Sequence, residues 1–103
     1  MDFNQMGEML QQAQAMQQQM EERLAASIVE ADAGGGAVTA RMNGKKHLLS
    51  VRIAPTAASA AAGDITLLED LVVAAVNAAE RKADEAQQTS ASAMLGGLNL
   101  PGL

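Results

Sequence analysis

An α+β fold is predicted for this chain by three features of its pattern. Residues 3–26 carry one long helical stripe, an Asn-Gly hairpin occupies the middle, and a second amphipathic helix follows it. An extended segment between the first helix and the hairpin adds a third strand.

The first helix is marked by Phe3, Met6, Met9, Leu10, Ala13, Met16, Met20 and Leu24, which recur at spacings of three and four. Glutamines fill most of the opposite face. The spacing approaches a heptad, but about three heptads is short for a coiled coil. Methionine adapts to irregular apolar surfaces, so the stripe is read as packing against a partner helix or sheet rather than as a cofactor site. Met6, Leu10, Met16 and Met20 are therefore placed in a dimer interface.

Ser27 to Ala33 reads as extended, with β-branched Ile28 and Val29, and runs into Gly34-Gly35-Gly36. Three glycines can cradle a phosphate where they lead into a helix, but a strand pattern follows here, so a turn or hinge is expected. Ala37 to Ala54 reads as a hairpin around Asn43-Gly44, the pair favoured in two-residue type I′ turns. That loop sets Met42 opposite Lys45, Arg41 opposite Lys46, Thr39 opposite Leu48 and Val38 opposite Leu49. Val38, Ala40, Met42, Leu49, Val51 and Ile53 then share a core face. Thr39, Arg41, Lys46, Leu48, Ser50 and Arg52 share a polar, basic one, with Lys45 and His47 near the tip.

Pro55 closes the last strand, and an alanine-rich linker runs to Gly63. Thr66 and Glu69 have the spacing of a capping box, which starts the second helix at Thr66 and carries it to about Ser90. Its stripe is Leu68, Leu71, Val72, Ala75, Val76, Ala79 and Ala83, with Glu80, Arg81, Lys82, Asp84 and Glu85 on a solvated face. Residues 1–92 are expected to form one domain. Residues 93–103, glycine-rich and without periodicity, are expected to form a flexible tail.

Composition narrows the function. Of the 103 residues 49% are hydrophobic, but alanine dominates and Phe3 is the only aromatic. A core of that kind buries little area, and pairing two chains relieves the shortage, so a tight homodimer is expected. No cysteine is present, which suits a reducing cytoplasm and leaves no thiolate metal site. Neither a secretory leader pattern nor an apolar run long enough to cross a bilayer is seen. The polar side of the first helix has almost no lysine or arginine, which argues against a membrane-surface role. His47 has no second histidine or cysteine to complete a metal site, and no spacing assembles a nucleophile, base and orienting group. No enzyme activity, cofactor or small-molecule substrate is expected. Asn77, within the apolar helix, is expected to hydrogen-bond a neighbouring element.

Charge is the informative quantity. The formal net charge is -5, yet residues 33–63 hold Arg41, Lys45, Lys46 and Arg52 and not one acid. A local field of that sign attracts anions whatever the overall sum. Cations paired with acids on the helices would be the bland explanation. Like charges opposed across a hairpin, Arg41 to Lys46, favour a bound anion instead. Phosphate contacts on double-stranded DNA fit best, since single-strand binders stack bases on aromatic platforms that this chain lacks. The main rival is a dimeric protein-interaction scaffold, with partners received by the methionine stripe and no direct DNA contact.

Taken in order, "MLQQAQAMQQQMEE", "GAVTARMNGKKHLLSVRIAP", "LLEDLVVAAVNAAERKADE" and "GGLNLPGL" resemble the YbaB/EbfC family of bacterial nucleoid-associated proteins over nearly the whole chain. The resemblance implies a long N-terminal helix, a three-stranded antiparallel sheet and a C-terminal helix in an intertwined homodimer. It implies sequence-tolerant binding of double-stranded DNA that alters DNA conformation, with effects on gene expression and nucleoid organisation. It places the protein in the cytoplasm, on the nucleoid, without enzyme activity. The stretch "APTAASAAAGD" is looser and less charged than the family pattern.

Overall fold

Helix formers at nearly every position, uninterrupted by proline, give α1 (Phe3–Ala26) its 24 residues. The computed structural model describes residues 2–60 and 63–96. The helix ends where β-branched Ile28 and Val29 turn the chain into β1 (Ile28–Ala33), followed by β2 (Val38–Asn43) and β3 (Leu48–Ile53). A short α2 (Pro55–Ala60) and a long α3 (Ile65–Gly96) complete the order. The α+β architecture is the one the pattern predicts.

The sheet has the order β1-β2-β3 and is antiparallel throughout. Gly34, Gly35 and Gly36 stand in the turn between β1 and β2 with φ of 67°, 67° and 95°, a left-handed region that glycine enters without steric cost. They form a turn, as expected, and no helix follows them. Alternation then sends Ala31, Val38, Ala40 and Met42 to one face, where they form a buried cluster with Ala75, Ala79 and Ala83 of α3. Small side chains on both sides let the helix lie close to the strands. Every residue of the predicted second stripe belongs to this cluster or packs against it.

Helix α3 covers β1 and β2. It leaves β3 open: Leu48, Leu49, Val51 and Ile53 are 47%, 50%, 38% and 38% exposed. The core face expected for Leu49, Val51 and Ile53 is therefore uncovered in the single chain. Helix α1 has no buried residue either.

The hairpin departs from its predicted register. Asn43 pairs with His47 through the bond from the Asn43 N–H to the His47 carbonyl, 3.0 Å. The loop thus has three residues, Gly44 to Lys46, with Lys46 in the left-handed region at φ 68°. A bulge follows, since Met42 opposes Leu48 while Arg41 opposes Ser50, leaving Leu49 as the extra residue. Arg41 does not oppose Lys46, and the like-charge inference falls. The odd loop residue flips the faces and the bulge flips them back. Val38, Ala40, Val51 and Ile53 consequently keep their predicted face, as do Thr39, Arg41, Ser50 and Arg52.

Two boundaries also differ. The alanine-rich linker contains a helical turn, because alanine favours helix and Pro55 suits its first position. Asp64, not Thr66, caps α3: its Oδ1 accepts the Leu67 N–H at 3.2 Å, so the helix starts before the predicted capping box. The helix then continues to Gly96, through the first residues of the expected tail. Beyond Gly96 the expected tail lies outside the described residues. Asn77 is exposed, so its amide needs no protein partner.

The chain is long for its mass. Its radius of gyration is 20.0 Å and its extents are 70 × 30 × 17 Å, where a globular chain of this length has a radius near ~13 Å. It exposes 7436 Å², against roughly 5,500 Å² for a folded monomer of this mass.

Candidate nucleic-acid interface

The hairpin tip is built on Asn43. Its side chain is buried, and Oδ1 accepts the N–H groups of Lys45 and His47, both at 3.0 Å. Asparagine mimics a backbone turn in this way, and its side chain adds to the backbone bond between Asn43 and His47 in holding the loop. Gly44 joins the tip to both helices. Its N–H donates to the Leu24 carbonyl at 2.8 Å and the Ser27 carbonyl at 2.9 Å, at the end of α1. Its own carbonyl accepts from the Gln87 side chain of α3 at 2.7 Å.

A Cβ added at Gly44 would stand 2.8 Å from the Leu24 oxygen. Gly44→Ala must therefore move backbone, and a loss of about 1–3 kcal/mol in stability is expected by chemical denaturation. An unchanged midpoint would mean that the tip does not sit on the end of α1.

The four candidate cations divide into three positions. Arg41 and Arg52 share the outer sheet face; with Arg41 opposite Ser50, they are diagonal neighbours, about 7–8 Å apart for such positions. Lys45 lies exposed at the tip. Lys46 instead forms an ion pair with Asp84 of α3, the helix that packs on the inner face. That hydrogen bond, with the fields of Asp84 and Glu80, raises the Lys46 pKa above the ordinary lysine value, against a loss of solvation that lowers it. The structure brings Arg41 and Arg52 together and sets Lys46 apart from them.

Acids missed by the sequence reading shape the same surface. Strand pairing puts Glu30 beside Arg41 and Asp32 beside Thr39, while Thr39 is flanked on its other side by Arg52. The outer face therefore runs from acidic at β1 to basic at β3. Arg41 Nε approaches Glu30 Oε1 at 3.9 Å, with both side chains about half exposed, a contact too long and too wet to hold the arginine firmly. The turn takes in Ala37 as well as the three glycines, and only a count from that four-residue turn sets Glu30 opposite Arg41. Nothing local could have found Asp84, which reaches Lys46 only through the packing of α3. Among the described residues, Lys45 and Arg52 have no ion-pair partner.

The predicted dimer residues lie along α1. Met6, Leu10 and Met16 are 47%, 63% and 51% exposed, whereas Met20 is half-buried. Met16 and Met20 face Ser90 across a cleft between α1 and α3. His47 is exposed, and among the described residues no group of three or more acids or histidines could hold a metal ion. Among those residues no helix is long and apolar enough to cross a membrane.

Residues 2–98 match the model of the YbaB/EbfC DNA-binding family. A nucleoid-associated protein of Acidobacterium capsulatum is 52% identical over 99 residues, covering 93% of this chain and 92% of that one. Another nucleoid-associated protein, from Koribacter versatilis, is 44% identical over 97% of this chain and 96% of its own length. The crystal structure of an uncharacterized protein, HP0035 of Helicobacter pylori, superposes with a TM-score of 0.75 at 26% identity, covering 92% of this chain and 98% of that one. A helix–sheet–helix architecture with four of its seven cations on one hairpin thus coincides with a family match over nearly the whole sequence, and the chain belongs to the YbaB/EbfC DNA-binding family.

Proposed function

We propose that this chain acts as a homodimer that grips the phosphate backbone of double-stranded DNA along the β2–β3 side of its sheet. One observation carries the reading. In a chain of net charge -5, the longest acid-free stretch is the one that folds into the hairpin, and it displays Arg41 and Arg52 on an outer face and Lys45 at the tip. Arginine and lysine contacts to phosphate fix position without reading bases, so binding tolerates sequence. Two copies of the surface, related by a dimer axis, would hold a duplex at two points and so alter its path. The nucleoid, in the bacterial cytoplasm, is where such a protein would act on DNA organisation and gene expression. The names of its relatives support this setting. No catalysis and no cofactor belong to the reading.

The dimer is supported by what one chain leaves bare. Its exposed area exceeds that of a globular monomer by roughly 2,000 Å², and a standard interface takes about 800 Å² from each partner. The open row on β3 and the stripe of α1 supply that surface in apolar form.

Arg41→Ala combined with Arg52→Ala tests the DNA surface, because both side chains project away from the core. The double variant should fold normally and bind unrelated duplexes equally less well. Its plot of log affinity against log salt should flatten by about three to four units per dimer. Unchanged binding would move the DNA surface off the sheet. No binding even by the unaltered protein would favour the interaction-scaffold reading.

A further inference from the structure

We propose that Asp84 occupies the place of a DNA phosphate at Lys46 and thereby holds down the affinity of the hairpin tip for DNA. The inference rests on the reading that the hairpin meets phosphate. It explains why one of four hairpin cations is turned to α3 instead of the outer surface.

Three observations converge on this point. Lys46 and Asp84 form an ion pair between groups 38 positions apart in sequence, so the contact belongs to the packing of α3 on the sheet. Their side chains are 39% and 45% exposed, so a phosphate oxygen can reach the ammonium from solvent. The tip is also fixed on α3 by the Gln87 bond to Gly44, which keeps Lys46 near Asp84 even when the ion pair opens. A carboxylate and a phosphate are both anionic acceptors for an ammonium, and either can hold it.

Exchange is nearly silent in the unaltered protein. While the Asp84 carboxylate keeps the ammonium, Lys46 neutralises no phosphate and releases no counterion from the DNA. The contact therefore adds little to the salt dependence, and its affinity is offset by the pair that is broken. An exposed pair of this kind is worth at most about a fivefold factor in an equilibrium. With the carboxylate removed, Lys46 contributes a full phosphate contact.

Asp84→Asn should accordingly bind duplex DNA about two- to fivefold more tightly per protomer. Its salt plot should steepen by about 0.9 unit for each protomer engaged. Glu85→Gln removes the same charge from the adjacent, exposed position and sets the level of the general electrostatic gain. Fluorescence anisotropy with a labelled duplex, at several salt concentrations, reads both quantities. Lys46→Gln alone should change them little, and adding it to Asp84→Asn should cancel the gain beyond that of Glu85→Gln. Melting curves by circular dichroism establish that each variant is folded. The inference is overturned if Asp84→Asn behaves as Glu85→Gln does, or if its gain survives Lys46→Gln. Absence of salt-dependent binding by the unaltered protein would overturn the DNA reading itself, and this inference with it.

Discussion

Ala79→Leu is expected to lower the melting temperature by about 4–24 °C. Ala79 has no exposed surface and lies in α3 within the cluster that holds Val38 and Ala40, which are equally buried. Leucine is nearly as good a helix former as alanine, so the substitution leaves the helix content intact and isolates packing. Three added carbons have no space at a helix–sheet contact made of alanines. The helix must lift from the strands or the side chain must leave its rotamer, at a cost of about 1–3 kcal/mol. For a domain of this size each kcal/mol moves the melting temperature by roughly 4–8 °C. Thermal unfolding followed by circular dichroism measures the shift. A melting point within two degrees of the original would mean that α3 is not seated on β1 and β2 through this face.

Leu10→Asp should convert dimer to monomer. In one chain Leu10 is 63% exposed, so an aspartate there would meet water and cost only a little helix propensity. Within an interface built from the α1 stripe it would be a buried, unpaired charge, worth about 3–5 kcal/mol against association. The two situations give different masses by light scattering at micromolar concentration. A dimer for the unaltered protein and a monomer for the variant are expected. A dimeric variant would leave β3, with its open row of Val51 and Ile53, as the contact between copies. A monomeric unaltered protein would remove the dimer altogether.

Periodicity made the fold legible. Spacings of three and four over residues 3–26 gave the first helix with its observed ends, and the stripe from Leu68 to Ala83 gave the buried face of α3. Alternation in the hairpin sorted Val38 and Ala40 inward and Thr39 and Arg41 outward, even though the turn itself was misread. An Asn-Gly pair favours a two-residue loop in isolation. Here the Asn43 side chain bonds two loop N–H groups and Gly44 is pressed against the end of α1; the local bonds and that tertiary contact together select the longer loop. The candidate site was legible as a charge count but not as a surface. Which cations face acids depends on strand neighbours, as with Glu30 and Arg41, and on helix docking, as with Asp84 and Lys46. Neither relation is written in local sequence.

The salt dependence of duplex binding by the unaltered protein tests the central claim most directly. On the proposed reading, Arg41, Lys45 and Arg52 would supply three phosphate contacts per protomer and six per dimer. Log affinity should then fall against log salt with a slope between about −4 and −6, the same for unrelated sequences. Binding that ignores salt, or that follows one sequence and not another at equal charge, would contradict a surface built to hold phosphate.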